Sequence, residues 1–302
     1  MLGRRNPASD TPLVKLGIVT PVLTRLPNAH AHWEADAGID EVERLVVEAE
    51  RLGYEFVTCS EHVAVPRDIA EVRGATYWDP LPTFGYLAAR TTTIHLATFV
   101  LVLGYHHPLA IAKRYGTLDR ISGGRLVLGV GVGSLEEEFD LLCASFDDRG
   151  ERGDDATRAL RASFGRLQPE YAGSHYEFHD FIVDPAGVQT DVPIWIGGQS
   201  ARSLRRAVEL ADGWSPFALS VDDVARLLEH AKQTDAWQQR EKPLDVVLQS
   251  GRPLDPIGDP DAVHHLLDRQ RAAGATGLAA RFVHHSPDHY CEQLAALAQL
   301  AH

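Results

Sequence analysis

The chain has 302 residues, of which 44% are hydrophobic and 24% are charged, and its formal net charge is −13. This composition is typical of a globular protein with a large core and excludes a disordered or fibrous chain. The acidic balance argues against binding to nucleic acid or to an anionic membrane surface, because both need clustered Lys and Arg.

Targeting and cysteine signals point to the cytoplasm. Cys59, Cys143 and Cys291 are odd in number and lack CxxC spacing, so they predict neither a disulfide framework nor a thiolate zinc site. The first ten residues include two arginines but no apolar stretch behind them, which argues against an export signal. No window is apolar enough to predict a membrane span.

Short apolar runs alternate with longer amphipathic stretches from residue 14 to the end. The apolar runs predict eight strands, at residues 14–20, 55–59, 94–101, 125–131, 193–197, 213–217, 244–249 and 278–283. The amphipathic stretches predict eight helices, at residues 38–52, 79–91, 108–121, 150–167, 200–211, 221–240, 260–273 and 287–300. Strict alternation predicts a parallel α/β sheet with right-handed crossovers. We expect residues 1–302 to form a single (β/α)8 TIM-barrel domain, although a doubly wound open sheet fits the same alternation.

Two stretches exceed a minimal barrel. Residues 21–37 follow the first strand, and residues 168–192 precede the fifth and contain a predicted hairpin. Loops at the carboxyl ends of barrel strands carry function, so both stretches are candidate lids over the barrel mouth. For residues 168–192, a hairpin on the outer surface is equally compatible with the sequence.

The second strand ends in Glu61 and His62, at the carboxyl end where barrel active sites lie. A histidine at this position can donate or accept a proton near neutral pH. A hydrogen-bonded residue of the rim, without catalytic function, is the alternative.

The fourth strand carries glycine at every second position, Gly129, Gly131 and Gly133. The strand period of two places all three on one face, which suggests close approach by a flat group such as a tricyclic ring. A dinucleotide fingerprint is disfavoured because the third glycine has the wrong spacing and no matching acidic residue follows.

The fifth strand leads through Gly197 and Gly198 into Gln199 and Ser200, which opens a helix. The amino terminus of a helix presents free N–H groups and a positive dipole, and glycines let the backbone approach an anion. This pattern favours a phosphate site, with arginines at positions 202, 205 and 206 nearby. A tight turn capped by Ser200 is the alternative.

Together these segments resemble the luciferase-like monooxygenase family, and most closely its coenzyme F420-dependent oxidoreductase branch. The resemblance covers roughly residues 14–217. It rests on Glu61-His62, Trp78-Asp79-Pro80-Leu81, Leu96-Ala97-Thr98-Phe99-Val100, His107-Pro108 with Ala112, Leu118-Asp119-Arg120-Ile121-Ser122-Gly123-Gly124-Arg125, the strand Gly129-Val130-Gly131-Val132-Gly133, and Pro193-Ile194-Trp195-Ile196-Gly197-Gly198.

The resemblance implies that His62 is the active-site histidine beside a deazaflavin, with Glu61 replacing the usual Asp. It implies a non-proline cis peptide at Thr98-Phe99 that supports the cofactor. It further implies contacts to the cofactor ring and phosphate from a set of small residues, namely Gly131, Gly133, Gly197, Gly198, Gln199 and Ser200. Ser134 departs from the family pattern, because sugar-phosphate dehydrogenases of the family have Glu there and many relatives have Trp.

The predicted function is hydride transfer between coenzyme F420 and a small organic substrate, with His62 assisting proton transfer. The main alternative is a two-component monooxygenase that uses FMN from a separate reductase, and a remote one is a non-catalytic flavin-binding barrel. A metal-dependent hydrolase is disfavoured, because His30-Ala31-His32 lies about ten residues too late and further histidine ligands are missing. A retaining glycosidase is disfavoured because the seventh strand ends in Gln249-Ser250. We expect no metal, and a cytoplasmic homodimer.

Overall fold

The computed structural model describes residues 15–27 and 29–301. Eight parallel strands form its central sheet: β1 (Lys15–Val19), β2 (Phe56–Cys59), β3 (His95–Thr98), β4 (Leu126–Gly131), β5 (Ile194–Gly197), β6 (Gly213–Ser215), β7 (Asp245–Gln249) and β8 (Gly277–Ala280). A main helix follows each strand: α1 (Ile39–Arg51), α2 (Pro80–Ala88), α3 (Pro108–Ser122), α4 (Arg149–Ser163), α5 (Ala201–Leu210), α6 (Val221–Lys232), α7 (Pro260–Ala272) and α8 (Pro287–Ala301).

The sheet closes on itself. Its strands are hydrogen-bonded in the order β5-β6-β7-β8-β1-β2-β3-β4, and β4 also pairs with β5 through Gly129 and Trp195. The closure confirms the predicted (β/α)8 barrel and rules out the open sheet. Residue 14, where the first strand was predicted to begin, lies outside the described residues.

The apolar residues divide between two faces of the barrel wall. Alternate side chains of the strands pack outward against the helices and form the larger core cluster. The others fill the barrel interior: Phe56, Ala97, Val127, Trp195, Val247 and Ala279. The Phe56 and Trp195 rings meet edge to face with centroids 5.2 Å apart, a favoured aromatic geometry. The interior is therefore a packed core, and a ligand has room only at its ends.

Two predicted elements are interrupted in the structure. The predicted helix 221–240 breaks after Lys232, and a new short helix, Asp235–Gln238, begins where Thr234 accepts a hydrogen bond from the backbone N–H of Trp237. The predicted strand 94–101 ends at Thr98, and the chain rejoins the sheet as the short strand Leu101–Val102 beside β4.

Residues 21–27 and 29–37 lie at the carboxyl end of the barrel, as predicted for the stretch 21–37. Their short strand Thr24–Arg25 pairs with Thr76–Tyr77 from the loop after β2. Glu34 holds this segment, because its carboxylate accepts hydrogen bonds from the backbone N–H groups of Val22 and Ala31, each at 2.8 Å. The segment forms one wall of the mouth.

The hairpin in residues 168–192 lies on the outer wall of the barrel, against α3 and α4. Asp155 of α4 accepts hydrogen bonds from the Tyr171 hydroxyl at 2.5 Å and from the backbone N–H of His175 at 2.7 Å. The segment then follows α3, where Asp119 accepts the N–H of Val188 at 2.8 Å. The prediction of a lid over the mouth is wrong for this segment, because buried carboxylates of two outer helices fix it to the side of the barrel.

Candidate active site

The carboxyl ends of the strands form a floor at the mouth of the barrel. Strand alternation continues the interior face by one layer beyond the packed core. The residues in that layer are Ser60, Phe99, Gly131, Gly197, Ser215, Gln249 and Arg281. His62, Thr98, Gly131 and Gly197 come from the adjacent strands β2 to β5, so the predicted site residues share one side of the mouth.

A bulge after β3 occupies the centre of this floor. The peptide bond between Phe99 and Val100 is cis. The cis bond was predicted one residue earlier, at Thr98-Phe99, and that position is wrong. Thr98 still belongs to the regular strand, because it pairs with Cys59 of β2 and its hydroxyl donates to the Gly129 carbonyl at 2.7 Å. Thr98 is 0% exposed, and its contact with a cofactor stays a prediction.

The end of β2 holds the bulge by three hydrogen bonds. The N–H of Phe99 donates to the Cys59 carbonyl at 2.8 Å. The Ser60 hydroxyl donates to the Phe99 carbonyl at 2.7 Å, and the N–H of Glu61 donates to the Val100 carbonyl at 3.3 Å. The bulge is therefore fixed to the strand that carries His62.

The glycines of β4 and β5 make room for this bulge. A Cβ atom at Gly129 would lie 1.8 Å from the Thr98 carbonyl oxygen. A Cβ at Gly131 or Gly197 would lie 2.7 Å from a methyl carbon of Val100. The flat group that the glycine pattern suggested is thus, at these positions, the backbone and Val100 of the same chain. Contact of Gly131 or Gly197 with a cofactor stays a prediction.

Gly133 and Ser134 lie beyond the end of β4. Gly133 has φ +81°, and a Cβ there would lie 2.5 Å from the Phe139 ring, so both conformation and space require glycine. Its predicted contact with the cofactor stays untested. The Ser134 hydroxyl is exposed and accepts a hydrogen bond from Arg73 at 3.1 Å.

His62 is oriented by a buried carboxylate that the sequence did not reveal. Its Nδ1 lies 2.7 Å from Oε2 of Glu138, in the short helix Glu136–Leu141 after β4. The same carboxylate accepts the Tyr105 hydroxyl at 2.6 Å and the N–H of Val63 at 2.6 Å. The His62 ring also packs edge to face on Tyr77, with centroids 4.5 Å apart. These contacts fix the ring plane and leave Nε2 as the nitrogen without a hydrogen bond to the described chain.

Glu138 stays ionised at neutral pH. Burial alone would raise the pKa of its carboxyl group, but hydrogen bonds from Tyr105, His62 and the Ala64 N–H outweigh burial and lower the pKa. Burial and the neighbouring carboxylate raise the pKa of Tyr105, so this phenol keeps its proton. A fixed negative charge therefore faces Nδ1 of His62.

Glu61, predicted beside His62 at the active-site end of the second strand, pairs with His106 and not with His62. Its Oε1 lies 2.7 Å from Nε2 of His106, and its Oε2 accepts the N–H of Val102 at 2.7 Å. Glu61 is 8% exposed. Neighbouring residues of an extended chain point to opposite sides, so Glu61 supports the segment after the bulge while His62 faces the mouth.

The turn after β5 has the geometry of a helix amino terminus. Gly198 has φ +139°, and a Cβ there would lie 2.7 Å from Cβ of Ser203. Gln199 and Ser200 are exposed, and the Ser200 hydroxyl caps α5 by accepting the N–H of Ser203 at 3.3 Å. The first turn still leaves N–H groups without partners in the helix. The cap and an anion site are therefore both compatible with this turn.

Two of the three nearby arginines do not point toward an anion at this turn. Arg206 forms an ion pair with Asp154 of α4, and Arg205 lies 3.8 Å from the same carboxylate. Arg202, on the first turn of α5, is exposed. Their spacing on the helix explains the difference, because positions 205 and 206 face the neighbouring helix.

The histidines of the His30-Ala31-His32 pattern, which was weighed as a sign of a metal-dependent hydrolase, do not form a metal site in the described part of the chain. His30 is exposed and its Nδ1 lies 2.7 Å from the Leu26 carbonyl, and His32 is exposed in a short 3-10 helix. Within residues 15–27 and 29–301, no group of three His, Cys, Asp or Glu side chains gathers as metal ligands. No helix of that part of the chain is long and apolar enough to cross a bilayer.

The model of the luciferase-like monooxygenase family matches residues 16–254. The chain belongs to this family. The match runs from β1 to just past β7, so it extends the resemblance seen in the sequence by one strand and leaves β8 outside.

Curated relatives agree with the family assignment. An uncharacterized protein of Mycobacterium tuberculosis is 29% identical over 213 residues, which cover 66% of this chain and 72% of the relative. Two relatives are named F420-dependent glucose-6-phosphate dehydrogenase. The one from Microbacterium testaceum is 29% identical and the one from Nakamurella multipartita 30%, each over 59% of this chain. This chain matches about half of their length, 52% in each case.

Solved structures share the fold along nearly the whole chain. Monooxygenase RslO1 from Streptomyces bottropensis has a TM-score of 0.77 at 21% identity and covers 94% of this chain and 98% of its own. The coenzyme F420-dependent tetrahydromethanopterin reductase from Methanopyrus kandleri has a TM-score of 0.71 at 17% identity, covering 95% and 97%. An F420-dependent secondary alcohol dehydrogenase, solved with an F420-acetone adduct, has a TM-score of 0.72 at 12% identity, covering 95% and 98%.

Proposed function

We propose that this protein transfers a hydride between coenzyme F420 and a small organic substrate, with His62 handling the accompanying proton. The observation that carries the proposal is the hydrogen bond between His62 and the buried Glu138 at the mouth of the barrel, 2.7 Å long. F420 is favoured as the cofactor because the named curated relatives and two of the similar structures are F420-dependent.

The residues of the mouth fit a deazaflavin cofactor. The ring would lie against Phe99 and Val100, which are partly exposed on the floor. The Ser215 hydroxyl of this floor is buried and has no hydrogen-bond partner, so a polar ligand atom would satisfy it. The phosphate would lie at the amino terminus of α5, at Gly198 and Gln199, where Arg202 is exposed.

When bound, the cofactor supplies or accepts the hydride at its ring. The chain supplies the proton chemistry. With Nδ1 held by Glu138, Nε2 of His62 donates a proton to the substrate oxygen when a carbonyl is reduced and removes it when an alcohol is oxidised. The ionised Glu138 stabilises the protonated imidazole in the same way as a buried carboxylate orients a catalytic histidine elsewhere.

The glucose-6-phosphate activity named for the two relatives is not extended to this chain. Ser134 stands where the family's sugar-phosphate dehydrogenases have Glu, and its hydroxyl contacts Arg73. A serine cannot replace a carboxylate as an acid or base at neutral pH. We infer a substrate other than a sugar phosphate.

A two-component monooxygenase that uses FMN is the second candidate. It is favoured by the fold likeness to monooxygenase RslO1. Titration of the purified protein with F420 and with FMN, followed by fluorescence, separates the two proposals. We expect F420 to bind more tightly. Equal or tighter binding of FMN would favour the monooxygenase.

The role of His62 is tested by His62→Ala. We expect F420 affinity to stay within a few fold and turnover to fall by about 10²–10⁴, the usual contribution of a positioned general acid or base. His95→Gln is the control, because His95 is exposed at the amino end of β3, away from the mouth. Unchanged turnover in His62→Ala would make His62 a residue of the rim only.

A further inference from the structure

Arg281 is a charged residue on the floor of the mouth. It directly follows β8, and it lies on the interior face because Ala279, two residues earlier, packs in the barrel interior. Its backbone is fixed, since its N–H donates to the Ser250 hydroxyl at 3.2 Å and its carbonyl accepts the N–H of Leu254 at 2.7 Å.

The guanidinium of Arg281 has no ion-pair partner in the described part of the chain. No carboxylate of those residues lies within 4.0 Å of it, in contrast to Arg206 and Arg161, which are also partly or fully buried. Its Nε is buried and makes no hydrogen bond. Burial lowers the pKa of Arg281, and Tyr290, Glu34 and Tyr77 act against this effect, but a guanidinium stays protonated at neutral pH. A half-buried cation without a partner costs free energy unless a ligand supplies a hydrogen-bond acceptor or a negative charge.

Arg281 borders a small cavity at the carboxyl ends of β1 and β8. The cavity is also lined by Thr20, Glu34, His284 and Tyr290. The Tyr290 hydroxyl is buried there without a hydrogen-bond partner. The Tyr290 hydroxyl therefore shares this space with the unpartnered Nε of Arg281.

Glu34 does not pair with Arg281, because neither oxygen of its carboxylate lies within 4.0 Å of the guanidinium. Oε2 accepts the Val22 N–H and Oε1 accepts the Ala31 N–H, and His284 Nε2 lies 3.4 Å from Oε1. His284 adds no second cation, because its Nδ1 accepts a hydrogen bond from Trp33 at 3.0 Å and the ring is neutral.

The position of Arg281 suits substrate rather than cofactor. In a closed sheet of eight strands, β8 lies opposite β4, and the proposed cofactor floor is on the side of β3 to β5. Thr24, which lines the same cavity as Arg281, pairs with Tyr77, and Tyr77 packs on His62 with ring centroids 4.5 Å apart. Arg281 and His62 therefore border the same opening from two sides.

We propose that Arg281 binds a carboxylate of the substrate, so that the substrate is a small carboxylic acid whose carbonyl or alcohol is presented to His62. This inference rests on the proposed function. A carboxylate is favoured over a phosphate because Arg281 is the one arginine or lysine among the described residues that line this cavity, and the negative Glu34 also lines it, which suits a monoanion. None of the four lysines, at positions 15, 113, 232 and 242, belongs to a loop at the carboxyl ends of β1, β2 or β8.

The test compares 2-oxobutanoate with its neutral methyl ester, using ligand-observed NMR on the full chain with and without F420. We expect the wild-type protein to bind the carboxylate about 10-fold to 100-fold more tightly, the usual worth of a charge-assisted hydrogen bond in a partly buried site. Arg281→Gln removes this preference, and Arg281→Lys, which keeps the charge, retains part of it. Arg73→Gln is the matched control, because Arg73 is the exposed arginine beside Ser134.

Equal binding of acid and ester by the wild-type protein, or a preference that survives Arg281→Gln, would overturn the inference. If inorganic phosphate displaces 2-oxobutanoate more strongly than acetate does, the choice of a carboxylate over a phosphate is overturned. F420 affinity, measured in the same samples, shows whether each variant is folded. Failure of the wild-type protein to bind F420 contradicts the proposed function. If the wild-type protein binds F420 but shows no preference for the acid over the ester, only the role of Arg281 is contradicted.

Discussion

Proton transfer by His62 depends on a carboxylate 76 positions away in sequence, Glu138. A histidine that gives up its proton from one nitrogen needs a fixed partner at the other, so that the tautomer and ring plane are defined. Glu138 provides that partner while its other bonds, to Tyr105 and two backbone N–H groups, keep the carboxylate itself in place. We regard Glu138 as a positioning residue.

Glu138→Gln tests this role. The amide keeps the shape but loses the charge, so we expect turnover to fall by about 10-fold to 100-fold, less than the loss expected for removing the imidazole. The loss should appear in kcat rather than in KM, because Glu138 is buried and acts on the substrate only through the imidazole. Glu137→Gln, on the exposed face of the same short helix, is the control. An unchanged kcat in Glu138→Gln would limit Glu138 to a structural role.

Local sequence placed the histidine but not its partner. The strand-end pattern at residues 56–62 predicted that His62 would face the mouth, because β-then-α order fixes which end of each strand is catalytic. It could not reveal that Glu61 turns to His106, since the side to which a residue beyond a strand end points depends on packing. The available signal for Glu138 was an acidic run, Glu136 to Glu138, in the loop after β4. Only the third of these carboxylates is buried.

The bulge after β3 and the glycines of β4 form one structural unit. The Gly129 position lies directly against the Thr98 carbonyl, and Val100 fills the space over Gly131 and Gly197. The sequence predicted that the glycines share one face but assigned the space over them to a ligand, and the family resemblance placed the cis bond one residue early. The group that packs against the glycine face of a strand comes from the neighbouring strand, so the sequence of the glycine strand alone does not reveal it.

Gly129→Ala should destabilise this unit. The added Cβ would lie 1.8 Å from the Thr98 carbonyl oxygen and 3.0 Å from its carbon, and a backbone held between two strands cannot move aside. We expect the free energy of unfolding in urea to fall by about 1–3 kcal/mol or more, and F420 affinity to fall with it. Gly85→Ala is the matched control, because Gly85 lies inside α2 with no atom within 4 Å of an added Cβ. That variant should be stabilised by up to about 1 kcal/mol, and equal effects of the two changes would contradict the account.

The whole barrel could be predicted because its signal is repeated eight times along the chain. Each strand reads as a short apolar run, each helix as an amphipathic stretch, and errors of a few residues at their ends do not change the order. The outer hairpin at residues 168–192 was harder to place, because its position depends on single carboxylates, Asp119 and Asp155, on the helices it crosses. Pattern predicts repeated elements well and single tertiary contacts poorly.

The pH dependence of global stability should reflect one buried histidine at the mouth of the barrel. Burial, followed by the charges of His289 and His285, lowers the pKa of His284 from 6.5 to about 4. The native state therefore keeps this ring neutral while the unfolded chain takes up a proton, so the contribution to stability is complete above about pH 6.5 and is lost as the pH falls toward 4. Carboxyl groups with lowered pKa, such as those of Glu138 and Asp155, lose their contributions only below about pH 4.5.

Urea unfolding at several pH values between 7.5 and 4.5 separates these effects. We expect the free energy of unfolding of the wild-type protein to decrease between pH 6.5 and 4.5. His284→Gln should flatten that decrease, because Gln has no proton to gain yet can accept the Trp33 N–H as His284 does. His230→Gln, on the exposed side of α6, should leave the slope unchanged. A slope that persists in His284→Gln would mean that other groups titrate in this range, and that His284 is charged in the native state or free to reach solvent.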